Sequence, residues 1–313
     1  MREVRLADGG DRGAVVSPAD LVVAWGTEYT VDNTRLAYET DLTDYMQWCG
    51  AHDVNPLEPD RLDVNAYRAE LLSRGLLPQS VDRKMAACRS FFAYLGERGM
   101  LRGEPPFDHV KRLAMPGESQ TPWLGADDLT KLLTVALEES ARDFLLVALL
   151  GVNGLRVSEA LRAAVPDLGV VDGHRALSIT RKGSKPGLTP LAPFVVDVLD
   201  AYLEGRTTGP VIARLDRNRR VVVPVRGISR QTAFDRVRHL ADYAGVNPQL
   251  SPHGLRHSFV TNALEDGAEL HVVQLAVGHS SPSTTMRYRR GALTLNSNPS
   301  LTLGETLLEG VAQ

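Results

Sequence analysis

Apolar residues recur every three to four positions in three stretches of the first third of the chain, the spacing of one face of an α-helix. The first stretch follows Asp32 or Asn33 as a helix cap and ends at Gly50. The second covers residues 63–74, and the third follows Ser80 as its cap. The apolar residues predicted to share a face are Leu36, Leu42, Tyr45, Met46 and Cys49 in the first stretch, Tyr67, Leu71 and Leu72 in the second, and Val81, Met85, Cys88, Phe92 and Leu95 in the third. This part of the chain is predicted to be a small, all-helical bundle.

The second part of the chain mixes helical periodicity with short β-prone runs. Helices are predicted near Asp127–Glu139 and Ala141–Leu150, and again from Phe194. Three β-prone runs lie between them, at Leu168–Val171, Ala176–Thr180 and Leu188–Leu191. The Asp172-Gly173 dipeptide between the first two runs is a strong hairpin signal. The chain as a whole is therefore predicted to be mainly α, with one small antiparallel β-sheet in an α+β second domain.

Segments without apolar periodicity divide the 313-residue chain, which is longer than one compact domain usually is. Residues 1–16 are rich in Gly and Asp and are predicted to form a flexible tail. Residues 116–122 carry two prolines and a glycine, which is typical of a linker. The linker would join a helical domain of residues 17–115 to a second domain of residues 123–290, leaving residues 291–313 as a C-terminal tail.

The sequence of the C-terminal tail is compatible with a short amphipathic helix. Leu307, Leu308 and Val311 stand beside Gly304 and Glu305. We hypothesise that this segment docks on a neighbouring protomer, and a frayed terminus is the alternative.

Composition narrows the class of protein. Hydrophobic residues make up 43% of the chain and charged residues 23%, as in ordinary soluble globular proteins. No apolar run is long enough to span a bilayer, and the N-terminus lacks the apolar core of a signal peptide. The two cysteines, Cys49 and Cys88, form no Cys-x-x-Cys pair. We therefore expect a cytoplasmic, reduced protein without a membrane partner or a structural zinc site.

The charges are unevenly distributed along the chain. Residues 151–290 hold 19 Lys and Arg against 12 Asp and Glu, whereas the remaining residues hold 16 against 26. A basic segment within a chain of net charge −3 is compatible with a polyanion bound at one surface, and an ordinary solvated surface is the alternative.

The third predicted helix carries Arg83, Lys84 and Arg89 opposite its apolar face. A basic helix face is often no more than a solvated surface. In a nucleic-acid-binding protein, the same face is a candidate for contact with the DNA major groove.

Groups suited to handling a phosphate are concentrated in three clusters and one turn. The clusters are Gly154-Leu155-Arg156-Val157-Ser158-Glu159, then His253-Gly254-Leu255-Arg256-His257, then Gly278-His279-Ser280-Ser281-Pro282 with its continuation to Arg287-Tyr288-Arg289-Arg290. The sequence Arg181-Lys182-Gly183-Ser184-Lys185 falls on a predicted turn of residues 182–187.

Cleavage of a phosphodiester by a side chain needs a nucleophile, cations for the non-bridging oxygens, a proton acceptor and a donor to the leaving oxygen. The planar fork of arginine suits the second task, so Arg156 and Arg256 are candidates to clamp one phosphate without a metal. Histidine suits proton transfer near neutral pH. A lysine on a turn can reach the leaving oxygen, and the Tyr288 phenol can attack once its proton is shared.

Taken singly, these residues have simpler interpretations. A lone arginine is more often an ion-pair residue, and a lone tyrosine such as Tyr288 is usually a half-buried aromatic. His253 and His257 stand four positions apart, as two zinc ligands on a helix sometimes do. However, the metalloprotease pattern needs Glu directly after the first His, where this chain has Gly254.

As a set, the clusters resemble the tyrosine recombinase (phage integrase) family, which includes Xer-type recombinases. The first cluster resembles the opening motif of that family, and the second resembles its His-x-Leu-Arg-His box. His279 follows Arg256 by 23 positions and Tyr288 follows His279 by 9, and both intervals are similar to those of the family. The motif resemblance covers about residues 123–290, and the helical segment before it is similar to the core-DNA-binding domain of the family.

The resemblance implies a role for each matching residue. The implied catalytic residues are Arg156, Lys182, His253, Arg256, His279 and the nucleophile Tyr288, with Glu159 as a supporting acid and His257 in a structural role. Two positions depart from the family pattern. Val277 stands where leucine is common, and Gly187 stands where the hairpin turn often carries a basic residue. The second departure loosens the match around Lys182, so Lys185 is kept as an alternative general acid and a candidate DNA contact.

The resemblance further implies a site-specific recombinase that works through a 3′-phosphotyrosine intermediate and uses no cofactor or metal. It implies double-stranded DNA with a specific site as the partner, a homo-tetramer on that DNA, and room for an accessory DNA-bending protein or a partner recombinase. A type IB topoisomerase-like enzyme and a non-catalytic DNA-binding regulator on the same scaffold are the alternatives.

Overall fold

The computed structural model describes residues 17–29, 32–101, 103–113, 121–181 and 184–278, without the side chains of Asp32 and Asn33. The chain divides into two compact units, Met1–Pro116 and Gly117–Gln313. The predicted N-terminal and C-terminal tails lie outside the described residues.

The described part of the first unit is helical. Its helices are α1 (Pro18–Gly26), α2 (Asp32–Ala51), α3 (Arg61–Ser73) and α4 (Pro78–Glu97). The three predicted helices are confirmed, whereas α1 is absent from the prediction. Ser17 starts α1 by accepting a hydrogen bond from the backbone of Asp20, whose side chain bonds back to Ser17 in a capping box. The prediction that Ser80 caps the third helix is wrong, since Pro78 occupies the first turn and α4 begins there.

Aromatic and aliphatic side chains from all these helices form the core of the first unit. Its largest fully buried side chains are Trp25, Tyr45, Tyr67, Phe91, Phe92 and Phe107. Most of the predicted apolar faces are buried here, but Leu36 and Leu72 are 56% and 41% exposed. Leu72 points away because it lies about 100° around the helix from the buried Leu71.

Both cysteines lie in this core. Burial raises the pKa of the Cys49 thiol to about 11 and that of Cys88 well above its usual range. Thiols held in the neutral form are poor nucleophiles. Cys88 is therefore a core residue, as predicted.

The prediction that Lys84 stands on an exposed basic face is wrong. Lys84 is 9% exposed, and its Nζ lies 3.2 Å from Asp41 Oδ1 and 3.1 Å from Asp44 Oδ2 on α2. Its neighbour Arg83 also pairs with Asp41. The two aspartates lie nearly one turn apart on α2, and that helix covers the side of α4 that the sequence pattern assigned to solvent.

The second unit alternates helices with one small sheet. Its described elements are α5 (Ala126–Glu139), α6 (Ala141–Gly151), α7 (Val157–Arg162), β1 (Leu168–Val171), β2 (His174–Thr180), β3 (Pro186–Pro190), α8 (Pro193–Leu203), α9 (Arg230–Tyr243), α10 (Pro252–Glu265) and α11 (Leu270–Val277). The strands pair antiparallel in the order β1-β2-β3, with Leu168 opposite Leu177 and Ser178 opposite Leu188. The predicted helices and the Asp172-Gly173 hairpin are confirmed.

Helix α6 lies at the centre of the second unit, and all of its residues after Ala141 are buried. It packs against α5, α8 and α10. Its N-terminal turn is fixed by Asp143, which pairs with Arg142 at 2.8 Å and with Arg236 at 2.7 Å. Because α6 is held in this way, the segment that follows Gly151 starts from a defined position.

The described chain is mainly α-helical with one small antiparallel sheet, as predicted. Within the described ranges, no helix combines the length and the apolar character needed to cross a membrane.

Candidate active site

Arg156 and Glu159 meet at the junction between α6 and α7. Arg156 occupies the N-cap position of α7, and its backbone N–H donates to Glu159 Oε2 at 2.8 Å. The Arg156 Nη1 donates to Glu159 Oε1, also at 2.8 Å. Glu159 is 3% exposed, so this carboxylate holds the arginine from inside the protein.

Arg256 reaches the same carboxylate from α10. It is 3% exposed, and its Nη1 donates to Gly154 O at 2.6 Å while its Nη2 donates to Val277 O at 2.7 Å. The Arg256 Nη1 also lies 3.9 Å from Glu159 Oε2. Arg156 and Arg256, which are 100 positions apart in sequence, therefore share one buried acid.

Helix α10 carries three of the predicted residues. The Ser251 side chain caps the helix, which then presents His253, Arg256 and His257 within two turns. His257 is 2% exposed and lies beside the Trp123 ring, with the ring centroids 6.2 Å apart. Across the described ranges, no group of three or more His, Cys, Asp or Glu side chains is arranged to hold a metal ion.

The pKa of His253 lies below its usual value. The largest cause is desolvation of the ring by the surrounding protein, although part of the residue is exposed to solvent. The positive charges of Arg256 and Arg156 lower the pKa further. The neutral imidazole is thereby favoured beside two cations. A neutral imidazole can accept a proton, which is the task predicted for His253.

The C-terminus of α11 completes the described arrangement. Arg156 Nη2 donates to Gly278 O at 3.1 Å, next to the bond from Arg256 to Val277 O. The last carbonyls of a helix have no partners within the helix and carry partial negative charge, which suits them to guanidinium groups. Both arginines are thus oriented by a buried acid on one side and a helix end on the other.

A third arginine, which the sequence analysis left without a role, joins this helix end. Arg181 follows β2 directly, and its Nη1 and Nη2 donate to Leu275 O at 2.6 Å and Ala276 O at 2.8 Å. No local pattern marks this residue, because its partners lie 94 and 95 positions away. Lys185, on the same turn, is exposed.

The structure thus brings together four of the predicted residues: Arg156, Glu159, His253 and Arg256. Lys182, His279 and Tyr288 lie outside the described residues. Their roles remain predictions from the sequence.

The three candidate DNA contacts of the first unit are tied to their own unit. Arg83 and Lys84 pair with aspartates of α2, and Arg89 Nη2 donates to Phe107 O at 3.2 Å and Val110 O at 3.0 Å. All three side chains predicted to contact DNA are thus engaged by their own unit, and Lys84 is buried as well.

Both parts of the chain match families of known proteins. Residues 122–293 match the phage integrase family, and residues 28–99 match the phage integrase N-terminal SAM-like domain. Tyrosine recombinase XerD of Proteus mirabilis is 34% identical over 263 residues, covering 82% of this chain and 82% of the relative. Tyrosine recombinase XerD of Listeria monocytogenes serovar 1/2a is 33% identical over 268 residues, covering 82% of this chain and 87% of the relative.

Solved structures show the same fold at low identity. The XerH site-specific recombinase bound to its difH substrate, in a pre-cleavage complex, superposes with a TM-score of 0.69 at 18% identity, covering 94% of this chain and 86% of that chain. A lambda integrase tetramer bound to a Holliday junction gives a TM-score of 0.65 at 15% identity, covering 85% and 78%. These matches favour neither a type IB topoisomerase-like enzyme nor a non-catalytic regulator.

Proposed function

The chain belongs to the phage integrase family of tyrosine recombinases, enzymes of site-specific DNA recombination, and on that premise we propose that Tyr288 is its nucleophile. The observation that carries the proposal is the convergence of Arg156 and Arg256 on one buried carboxylate and on the helix end that leads to His279. Guanidinium groups are well suited to bind the oxygens of a phosphate, so two of them at one place support a phosphate-binding role.

In the proposed first step, the Tyr288 oxygen attacks the scissile phosphorus while the bond to the 5′ oxygen breaks. His253 takes the phenol proton, and Lys182 gives a proton to the leaving oxygen, with Lys185 as the alternative donor. The products are a 3′-phosphotyrosine and a free 5′ hydroxyl. Arg156, Arg256 and His279 stabilise the charge that develops on the non-bridging oxygens.

In the second step, the 5′ hydroxyl of a partner strand attacks the phosphotyrosine, and the tyrosine leaves as a phenol. One phosphodiester bond is made for each one broken, so the exchange draws on no external energy source. Glu159 orients both arginines throughout, and His257 supports α10 from the interior.

The substrate proposed for this site is double-stranded DNA with a specific recombination sequence. Solved structures of the same fold support it, since the XerH site-specific recombinase is bound to its difH substrate and lambda integrase to a Holliday junction. Strand exchange joins two duplexes with two protomers on each, so we propose a homo-tetramer on DNA, with an accessory DNA-bending protein or a partner recombinase where the site requires one. Arg83, Arg89 and Lys185 are the proposed DNA contacts, whereas Lys84, the fourth candidate from the sequence, is buried and pairs with Asp41 and Asp44.

Covalent trapping tests the nucleophile. Duplexes drawn from repeats flanking the gene and nicked near the scissile phosphate lose the short 5′-hydroxyl strand after cleavage, which leaves the protein attached. Wild type and the exposed control Tyr243→Phe should give a shifted band on a denaturing gel, whereas Tyr288→Phe should give none. A band from Tyr288→Phe would place the nucleophile elsewhere.

A further inference from the structure

Arg181 ties the turn after β2 to the C-terminus of α11. Its backbone N–H donates to Lys185 O at 2.8 Å, which holds together the two residues that flank positions 182–184 of the sequence. Its side chain donates to Leu275 O and Ala276 O, in the last turn of α11. One residue therefore anchors both the base of the turn and the helix end.

The surroundings leave space for this side chain at two glycines. A Cβ at Gly187, on β3, would lie 2.5 Å from Arg181 Nε. A Cβ at Gly278 would lie 2.6 Å from Arg181 Nη1, and the φ of +64° at that residue also favours glycine. Gly187 is the position at which this chain departs from the family pattern by lacking a basic residue.

Arg181 also completes a series. The carbonyls of residues 275 and 276 accept from Arg181, that of Val277 accepts from Arg256, and that of Gly278 accepts from Arg156. Four successive carbonyls at one helix end are thus held by three arginines, two of which are the proposed phosphate clamp. The hairpin turn is fixed to the same helix end as the clamp.

We propose that Arg181 is a positioning residue that fixes the turn carrying Lys182, so that the lysine can deliver its proton to the leaving 5′ oxygen. This inference rests on the proposed function, in which Lys182 is the general acid. The Arg181 guanidinium is engaged by Leu275 O and Ala276 O, so the role assigned to Arg181 is to act through the turn rather than on the substrate. Proton transfer depends steeply on distance and direction. A variant whose turn is no longer bound to α11 is therefore expected to cleave DNA more slowly without binding it less tightly.

A sulfur leaving group separates this role from a merely structural one. In DNA with sulfur in place of the scissile 5′ bridging oxygen, the leaving group is a thiol with a pKa of roughly 8.5, far below that of an alcohol, so it departs without a proton. The assay compares single-turnover formation of the covalent adduct on oxygen and sulfur substrates, with enzyme in excess. Binding of the uncleaved duplex is measured alongside.

On the oxygen substrate, Arg181→Ala and Lys182→Ala should both be slower than wild type, by roughly 10- to 100-fold for Arg181→Ala. On the sulfur substrate, the rates of both variants should come within about threefold of the wild-type rate, because the leaving group no longer needs a proton. Their DNA affinity should be unchanged. Arg256→Ala should stay slow on both substrates, since its charge acts on the non-bridging oxygens. Arg206→Ala is the matched control, because Arg206 also donates to backbone carbonyls, those of Thr208 and Pro210.

Gly187→Ala provides a second test that keeps Arg181 in place. The added methyl group would displace the Arg181 side chain, so this variant should show the same defect on oxygen and the same recovery on sulfur. Combining it with Arg181→Ala should add little, because both substitutions release the same contact.

Two results would overturn the positioning role. One is an Arg181→Ala enzyme as fast as wild type on oxygen, and the other is a folded variant that is equally slow on both substrates. Failure of the proposed function looks different: wild type would form no adduct on either substrate, or Tyr288→Phe would form one, and the positioning role would then be withdrawn as well.

Discussion

At the scale of single residues, His253 shows how the two arginines shape the chemistry of a neighbour. Desolvation by the protein and the charges of Arg256 and Arg156 lower its pKa, so the neutral form persists to a lower pH than for a free histidine. A phosphate bound between the arginines would offset their charge and draw the pKa of His253 upward. The residue would then be neutral in the free enzyme and a better proton acceptor once DNA is bound.

The titration of His253 is a testable consequence. In the free protein its pKa, followed by NMR, should lie below the ordinary value of about 6.5. Because the folded state disfavours the protonated ring, stability should fall as the pH drops from that value towards the folded pKa, and should be unaffected by this group above it. Arg156→Gln should raise the His253 pKa part of the way towards the ordinary value, since it removes one positive charge but not the desolvation. A pKa at or above the ordinary value in the wild-type protein would contradict the assignment.

At the scale of elements, the contact between α2 and α4 depends on a buried ion cluster. Burial alone would raise the pKa of Asp44, but hydrogen bonds from Arg74, Lys84 and Tyr67 outweigh it and hold the pKa below 3.8. Lys84 also pairs with Asp41, which is 1% exposed. The cluster is therefore part of the bundle's interior rather than of a solvated face.

Removing Lys84 should accordingly affect stability before it affects DNA binding. Lys84→Ala leaves two acids without one of their partners and should lower the free energy of unfolding by about 1–3 kcal/mol at neutral pH. The control Arg98→Ala, which breaks the exposed pair with Glu28, should change it by no more than about 1 kcal/mol. Because the pKa of Asp44 is depressed, the difference between wild type and Lys84→Ala should shrink as the pH falls through that pKa.

Chemical denaturation followed by tryptophan fluorescence measures these free energies, and titration with a duplex measures affinity. A Lys84→Ala variant that keeps wild-type stability but loses DNA affinity would make Lys84 a DNA contact instead.

The elements also show which features sequence patterns predict. The β1-β2 hairpin was predictable because its signal, Asp172-Gly173, is local. Helix α1 escaped prediction because it spans only nine residues, too few for a clear period. Lys84 was misplaced because a polar residue on α4 carries no information about the two aspartates on α2.

The candidate site divides in the same way. Arg156, Glu159 and Arg256 were recognisable because each lies in a compact motif that resembles the family. Arg181 was not, because its role depends on carbonyls about 94 positions away. Backbone acceptors belong to every residue, so no side-chain pattern identifies them.

At the scale of the whole molecule, charge separation matters more than net charge. A chain of net charge −3 concentrates 19 basic against 12 acidic residues in positions 151–290, which include the arginines of the candidate site. Attraction to a polyanion depends on the local field, so a mildly acidic chain remains suited to DNA.

The C-terminal tail, residues 291–313, provides the test at this scale, because we propose that it docks on a neighbouring protomer. Deleting it should leave covalent trapping on a single nicked duplex intact but abolish the slow-migrating complex with a synthetic Holliday junction on a native gel. Replacing Leu307, Leu308 and Val311 together by serine should reproduce the loss, since a docked apolar face could no longer be buried. Unchanged assembly by the truncated chain would remove the docking role.

The three arginines that hold the end of α11 also impose an order in time. Arg156 donates to a carbonyl 122 positions later in the chain, and Arg181 to carbonyls 94 and 95 positions later. A ribosome adds roughly 5–20 residues per second to the chain, so these arginines are incorporated well before the residues whose carbonyls accept from them. A nascent chain therefore carries its cations for several seconds before the helix that orients them exists, and Tyr288 is synthesised later still. A chain released early would lack both the oriented arginines and the proposed nucleophile, so on the proposed mechanism an incomplete translation product is expected not to nick DNA.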